Sequence, residues 1–446
     1  GERSAGTISL TLAANESRQF NSQDIEAGNV DKGLSGSFGD GSGDWSVIVG
    51  TTSDIEALAF IRTPDGFLTS MHERVVGDGS DWFVPMFNPA QNPNQVSRLR
   101  VINTETVAVS VMIEGIDDAG VAGDSAVSLT IPALESVELS SVDLESGNAG
   151  AGLSGAFGDG TGKWQLNVAA TGRISVQSLL FDPAGYLTNL SSIPDQSELS
   201  SGERVLWFVP PASNEQQQGF VRITNRGNTG GLVTVTGVDD AGQPSAGSIT
   251  FTLPALASQQ FNSQDIEFGN ADKGLSGSFG DGSGDWRVHV ESDLDFVQMA
   301  YIRTPDGFLT AMHDVVASSD GLTTVVPMFN PAQNPNQVSE LRLVNPGVTD
   351  ASISIVGRDD PGLMGPGGAV TLTLPAGQAI ALSSTDIEQG NAGKGLTGAI
   401  GDGSGKWVLT VTSSVPIKAM SLLRDPRGYL TNLSNVAKGG SGDLDP

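Results

Sequence analysis

The chain of 446 residues has no cysteine, so no disulfide staples it and no thiol chemistry is open to it. Basic residues are scarce. Lys and Arg total 23 against 51 Asp and Glu, giving a formal charge of −28. Phosphate recognition needs clustered Lys and Arg, so nucleic acid and anionic membrane are not expected partners. No run approaches the roughly 20 apolar residues of a spanning helix, and no membrane insertion is expected. No signal peptide opens the chain, so a secreted protein would be read here in a mature or trimmed form. Histidine is limited to His72, His289 and His313, with His72 and His313 sharing the context FLT-x-MH. HExxH, GxSxG, Walker A and dinucleotide motifs are missing, because the 58 glycines do not introduce helices. No catalytic residue and no required cofactor are assigned.

What the chain does have is self-similarity. DKGLSGSFGDGSGDW, ending at Trp45, recurs ending at Trp286, with diverged copies ending at Trp164 and Trp407. Between these A segments lie B segments. FNPAQNPNQVSRLRVIN starts at Phe87, FNPAQNPNQVSELRLVN starts at Phe329, and a weaker version surrounds Val221. The order is A-B-A-B-A-B-A. WQLNVAATGRISVQSLLFDPAG can be laid over LRVINTETVAVSVMIEGIDDAG, so A and B are themselves related units of about 60 residues.

Apolar alternation and β-branched enrichment, punctuated by turn residues, predict four strands per unit. In the first B segment these are Leu99–Asn103, Val107–Ile116, Val127–Ile131 and Ser136–Ser141. No helical period is sustained. The pattern resembles a seven-bladed β-propeller of four-stranded blades. Thr7–Leu12 and Ser17–Ser22 would then share one blade with Trp407–Thr412 and Ile417–Leu423. On that reading the chain is one repeat domain, with A1 over 23–85, B1 over 86–143, A2 over 144–210 and B2 over 211–264. It continues with A3 over 265–328, B3 over 329–385, and A4 over 386–434 completed by 6–22; a flexible tail is expected over 435–446. GYLTNLS, from Gly428, is left over in this count. As the alternative, the strand rhythm of LRLVNPG…SISIVGRDDPG…VTLTLPAG…GKWVLTV resembles tandem immunoglobulin-like β-sandwich modules of about 120 residues. Both patterns are found among bacterial extracellular tandem-repeat proteins.

Acidic, Gly-rich loops are the candidate chemistry. Calcium takes six to eight oxygen ligands, and the carboxylates that could supply them recur in every A segment. They are Asp24, Glu26, Asp40 and Asp44; Asp143, Glu145 and Asp159; Asp265, Glu267, Asp281 and Asp285; and Asp386, Glu388 and Asp402. Lys163 and Lys406 stand where Asp44 and Asp285 stand, which an invariant ligand would not tolerate, and Asp-Gly turn chemistry explains the same residues without an ion. The four Trp are expected as packing anchors rather than sugar platforms. The pairs Asp117-Asp118, Asp239-Asp240 and Asp359-Asp360, with Asp65 and Asp306, are expected in turns. Asn15, Asn189 and Asn432 meet the glycosylation pattern.

These features predict a secreted, non-enzymatic interaction, scaffold or adhesion protein at a bacterial surface or extracellular matrix, with a protein or glycan partner. A carbohydrate-binding propeller, calcium-assisted, is the alternative. Self-association into a polymer by strand addition is the third reading. A hydrolase or lyase site would have to be assembled from distant residues in a propeller channel.

Overall fold

Alternation shapes the strands. Along Val109–Asp117 the side chains of Val109, Val111 and Ile113 are buried, while Ser110, Met112 and Glu114 face out. A computed structural model describes residues 1–64, 66–77, 79–194 and 202–436. The fold is all-β and antiparallel, with six sheets of four or five strands and one two-stranded pair among the described residues.

The sheets share their cores two by two. In one, Val109–Asp117 pairs with Val127–Ile131 and with Trp164–Ala170, and Asp81–Phe87 closes the far edge. In the other, Val96–Asn103 lies between Ser136–Ser140 and Ile174–Phe181, which Leu187–Asn189 borders. Side chains from both, including Val84, Leu99, Val111, Ile113, Trp164 and Val176, form one core. Residues 81–189 are module II here. Module III (203–311) and module IV (323–432) repeat the same strand order around their own cores.

From residue 81 onward the strands fall close to where alternation placed them, whereas the expected strands Thr7–Leu12 and Ser17–Ser22 form none beyond a bridge at Ser9, and Ser22 opens a helix. The strands also pair differently from the expected blade. Val96–Asn103 and Ser136–Ser140 belong to one sheet, and Val109–Asp117 and Val127–Ile131 to the other. Buried Asn103 makes the crossing possible. Its side-chain amide donates to the carbonyls of Val107, Ile131 and Pro132, satisfying backbone that leaves one sheet for the next. Asn225 and Asn345 do the same in modules III and IV. Trp407–Ser413 pairs with Thr323–Phe329 and Ala351–Asp359, and Lys418–Arg424 with Val338–Val344, rather than with residues 6–22. The leftover GYLTNLS supplies Leu430–Asn432 at the edge of Lys418–Arg424. The expected tail lies outside the described residues from 437 onward.

Four short helices, Ser22–Ala27, Ser141–Ser146, Ser263–Phe268 and Ser384–Gln389, were not expected. Six residues are too few to show a 3.6 period. Each is held by a capping box, in which Asn21, Ser140, Asn262 or Ser383 exchanges hydrogen bonds with the Asp three residues on.

Module I comprises the described residues within 1–77. It holds the helix Ser22–Ala27, the pair Phe60–Arg62 and Leu68–Ser70, and a single bridge between Ser9 and Ser35. The four modules meet at a centre, where Leu68–Ser70, Leu187–Asn189, Leu309–Ala311 and Leu430–Asn432 touch in cyclic order. The junctions close a ring: the Ser17 N–H donates to the Asp360 carbonyl, linking module I to module IV.

Candidate functional site

The acidic residues singled out by the repeats divide into three structural roles. Asp24, Asp143, Asp265 and Asp386 are the capping acids. Each also accepts from an Asn five residues on, Asn29, Asn148, Asn270 or Asn391, at 2.6 or 2.7 Å. Lys32, Lys273 and Lys394 add ammonium groups at 2.5 to 2.7 Å. The Lys32 ammonium, with the Asn21 N–H and the Asn29 amide, draws the Asp24 carboxyl down to about 2. Asp386 also falls to about 2, because bonds from Asn391, Lys394 and Ser383 outweigh a burial that alone would raise it.

Glu26, Glu145, Glu267 and Glu388 accept from the indole N–H of Trp45, Trp164, Trp286 and Trp407 at 2.7 or 2.8 Å. The rings of Trp164, Trp286 and Trp407 are fully buried, so their faces are closed to a sugar. The sequence signal for this pairing was the fixed 19-residue spacing of Glu and Trp.

Asp44 and Asp285 face the next module. Asp285 meets Arg342 at 3.1 Å, yet burial still pushes its carboxyl up to about 6. Lys163 and Lys406, their replacements, donate instead to Gln260 and Gln19. Burial brings the Lys163 ammonium down to about 8. Asp40, Asp159, Asp281 and Asp402 are exposed in their loops. The helix acid, the indole-bound Glu and the junction Asp therefore have separate partners, and no metal-sized group of three His, Asp or Glu occurs among the described residues. Asp117, Asp239 and Asp359 cap their own turns, as expected. Asp65 lies outside the described residues. Of the sequons, Asn15 is exposed, whereas Asn189 and Asn432 are buried and sterically closed to a glycan.

A polar cluster that sequence reading did not bring together lies at the centre. His313 places its two ring nitrogens 3.0 Å from the carbonyls of Ala300 and Ser192. The Ser192 hydroxyl lies 3.1 Å from His313 Nε2 and donates to Asp314 at 2.6 Å. Asn432 donates to the Asp314 carbonyl and Asn189 to that of Glu73, each at 2.9 Å, and His72 Nε2 lies 2.9 Å from the Asn435 carbonyl. All four junctions are thus tied. Glu73 is partly exposed along its stem, but its carboxyl is enclosed; burial and the charge of Asp314 push it up to about 8. Ser192, His313 and Asp314 put a hydroxyl beside an imidazole and a carboxylate. His313 is oriented by backbone rather than by the acid, and both Ser192 and His313 are buried, so the hydroxyl is not presented to a substrate. The FLT-x-MH and GYLTNLS contexts, each occurring twice, were the sequence trace of this cluster.

No protein-family model and no curated protein matches the chain. Among solved structures, that of Sulfolobus Turreted Icosahedral Virus is 11% identical over 82% of this chain and 90% of that one, with a TM-score of 0.15. A GH78 family rhamnosidase of Bacillus sp. GL1 is 8% identical over 78% of this chain and 54% of that one, with a TM-score of 0.12. Neither likeness is close enough to bear on fold or function.

Proposed function

We propose that the chain is a non-enzymatic scaffold or adhesion protein of a bacterial surface or extracellular matrix, built from immunoglobulin-like sandwiches closed into a ring. The observation that carries this reading is where the recurring polar residues go. The capping acids, the indole-bound Glu and the central His-Ser-Asp cluster each hold the molecule together. Repetition here supports a rigid frame rather than a set of catalytic sites. Cores lying between facing sheets favour sandwiches over blades.

The outer sheet faces are then the contact surfaces. Modules II and IV each carry a shallow groove of about 550 and 540 Å³ in equivalent places. Hydroxyls dominate the module IV groove, with Ser354, Thr371, Thr373 and Thr412, while the module II groove sets Ser110, Ser128, Thr130 and Thr171 among the apolar Val111, Met112, Leu129 and Ala170. This observation favours the second reading, glycan binding at paired weak sites that gain by avidity.

The test is binding of labelled protein to cell envelopes and matrix polysaccharide, together with a glycan array run with calcium and with chelator. Saturable binding without turnover is the expected result. Product release from a panel of glycosidic, ester or peptide substrates would sink the scaffold reading.

A further inference from the structure

The junctions between modules II and III and between modules III and IV are built from equivalent positions. In each, an Asp-Asp turn takes a guanidinium from the following module: Asp118 takes Arg222 at 2.6 Å and Asp240 takes Arg342 at 2.5 Å. In each, the backbone N–H of the residue before the core Trp donates to that same Asp, from Lys163 at 2.8 Å and from Asp285 at 3.0 Å. Strand register supplies the other counterparts. Phe220 lies opposite Tyr301 as Glu340 lies opposite Leu422, and Gln218 lies opposite Arg303 as Val338 lies opposite Arg424.

The two junctions differ in charge. Between modules III and IV, Arg342 Nη1 meets Asp285 at 3.1 Å, and Arg424 forks onto Glu340 at 2.6 and 3.1 Å. With Arg287 beside them, these cations face the three carboxylates of Asp240, Asp285 and Glu340. Between modules II and III, Lys163 replaces Asp285, Phe220 replaces Glu340 and Gln165 replaces Arg287. Of these positions only Asp118 is left to answer Lys163, Arg222 and Arg303, in a chain whose formal charge is −28. Lys163 and Arg303 donate instead to neutral amides, those of Gln260 at 3.0 Å and Gln218 at 2.8 Å.

Two buried donors at this junction are unspent. Arg222 is 1% exposed; its Nε donates to the Pro85 carbonyl at 2.9 Å and its Nη2 to Asp118, but its Nη1 has no partner. Tyr301 is 3% exposed and stacked on Phe220 with ring centres 5.3 Å apart, and its hydroxyl has no partner either. Arg222, Arg303 and Asp118 act on the charges of both Lys163 and Tyr301, so these groups lie around one spot. A buried donor is costly unless something accepts from it, the more so when it is charged. The equivalent Nη1 of Arg342 is the one that the Asp285 carboxylate fills.

We propose that the junction of modules II and III is an oxyanion-binding site, where a sulfate, phosphate or carboxylate group takes the place that the Asp285 carboxylate holds between modules III and IV. Arg222 Nη1 and Tyr301 Oη donate to the anion, and Lys163 and Arg303 supply countercharge. Lys163, on its flexible stem, turns from Gln260 to reach it. The bound anion clamps module II on module III. The inference stands apart from what the outer faces bind.

Equilibrium dialysis of the full chain against labelled sulfate, at ionic strength held constant with chloride, tests the site. The expected result is saturable uptake of one sulfate per chain, with the urea midpoint raised by sulfate and not by chloride. Lys163→Asp copies the arrangement between modules III and IV, and is expected to fold and to lose the uptake. Lys163→Gln carries the same expectation should that variant not fold. Tyr301→Phe is expected to weaken uptake about tenfold, whereas Lys394→Ala, at a helix of module IV, leaves it unchanged. No saturable uptake, or uptake indifferent to both the Lys163 and the Tyr301 substitutions, overturns the proposal. A sulfated disaccharide in competition identifies the source of the anion. Binding about tenfold tighter than sulfate assigns the anion to a sugar, equal binding assigns it to a free ion, and both support the site.

Discussion

At the scale of single residues, the protein uses its acids as fasteners. Glu267 is buried and accepts the Trp286 indole at 2.8 Å. Glu267→Ala leaves that N–H without an acceptor and is expected to cost about 1 to 3 kcal/mol in urea unfolding, while Glu267→Gln, which keeps a carbonyl, costs less. Equal losses would show that the hydrogen bond is not what matters. The pH dependence follows from two opposite shifts. Asp24 and Asp386 fall from an ordinary 3.8 to about 2, so their stabilisation is present above pH 4 and lost as pH drops toward 2. Glu73 rises from 4.5 to about 8, so its contribution is present below pH 4.5 and lost as pH climbs to 8. Stability should decline from about pH 5 to 8, and Glu73→Gln should flatten that decline. Parallel slopes for both proteins would remove the assignment.

At the scale of elements, the strands were legible and the pairing was not. Val127–Ile131 and Ser136–Ser140 lie within a residue of where alternation put them, because a half-buried strand must alternate. Alternation says nothing about which sheet a strand joins. That choice rests on Asn103, Asn225 and Asn345, whose amides satisfy the crossing backbone, and a lone Asn near a turn does not announce this in sequence. The short helices did have a sequence signature, Asn or Ser three residues before Asp, repeated four times. Asn262→Ala is expected to lower stability by about 1 kcal/mol through loss of the cap, measured by thermal unfolding. Since the capping acids already hold Lys and Asn groups, chelator treatment is expected to leave the melting temperature unchanged. A drop restored by added calcium would reinstate the acidic loops as metal sites.

At the scale of the whole molecule, the ring depends on its junctions. Arg342 is buried between Asp240 and Asp285, with its guanidinium over the Phe208 ring. Removing it strands two carboxylates, so Arg342→Ala should cost about 3 to 5 kcal/mol at the junction of modules III and IV. Calorimetry is then expected to show separate transitions in place of one. Small-angle scattering should give a radius of gyration near 22 Å, the value for a compact chain of this length. An elongated profile would mean that the central strands do not meet in solution.

Sequence alone determined the repeat, the strands and the mainly internal role of the Trp residues, since each depends on local pattern or on burial at a fixed period. The ring closure and the His72, Ser192, His313 and Asp314 cluster were decided only by tertiary structure. Each joins residues far apart in the chain. A segment's own residues specify its alternation, whereas the partner that covers it is supplied from elsewhere.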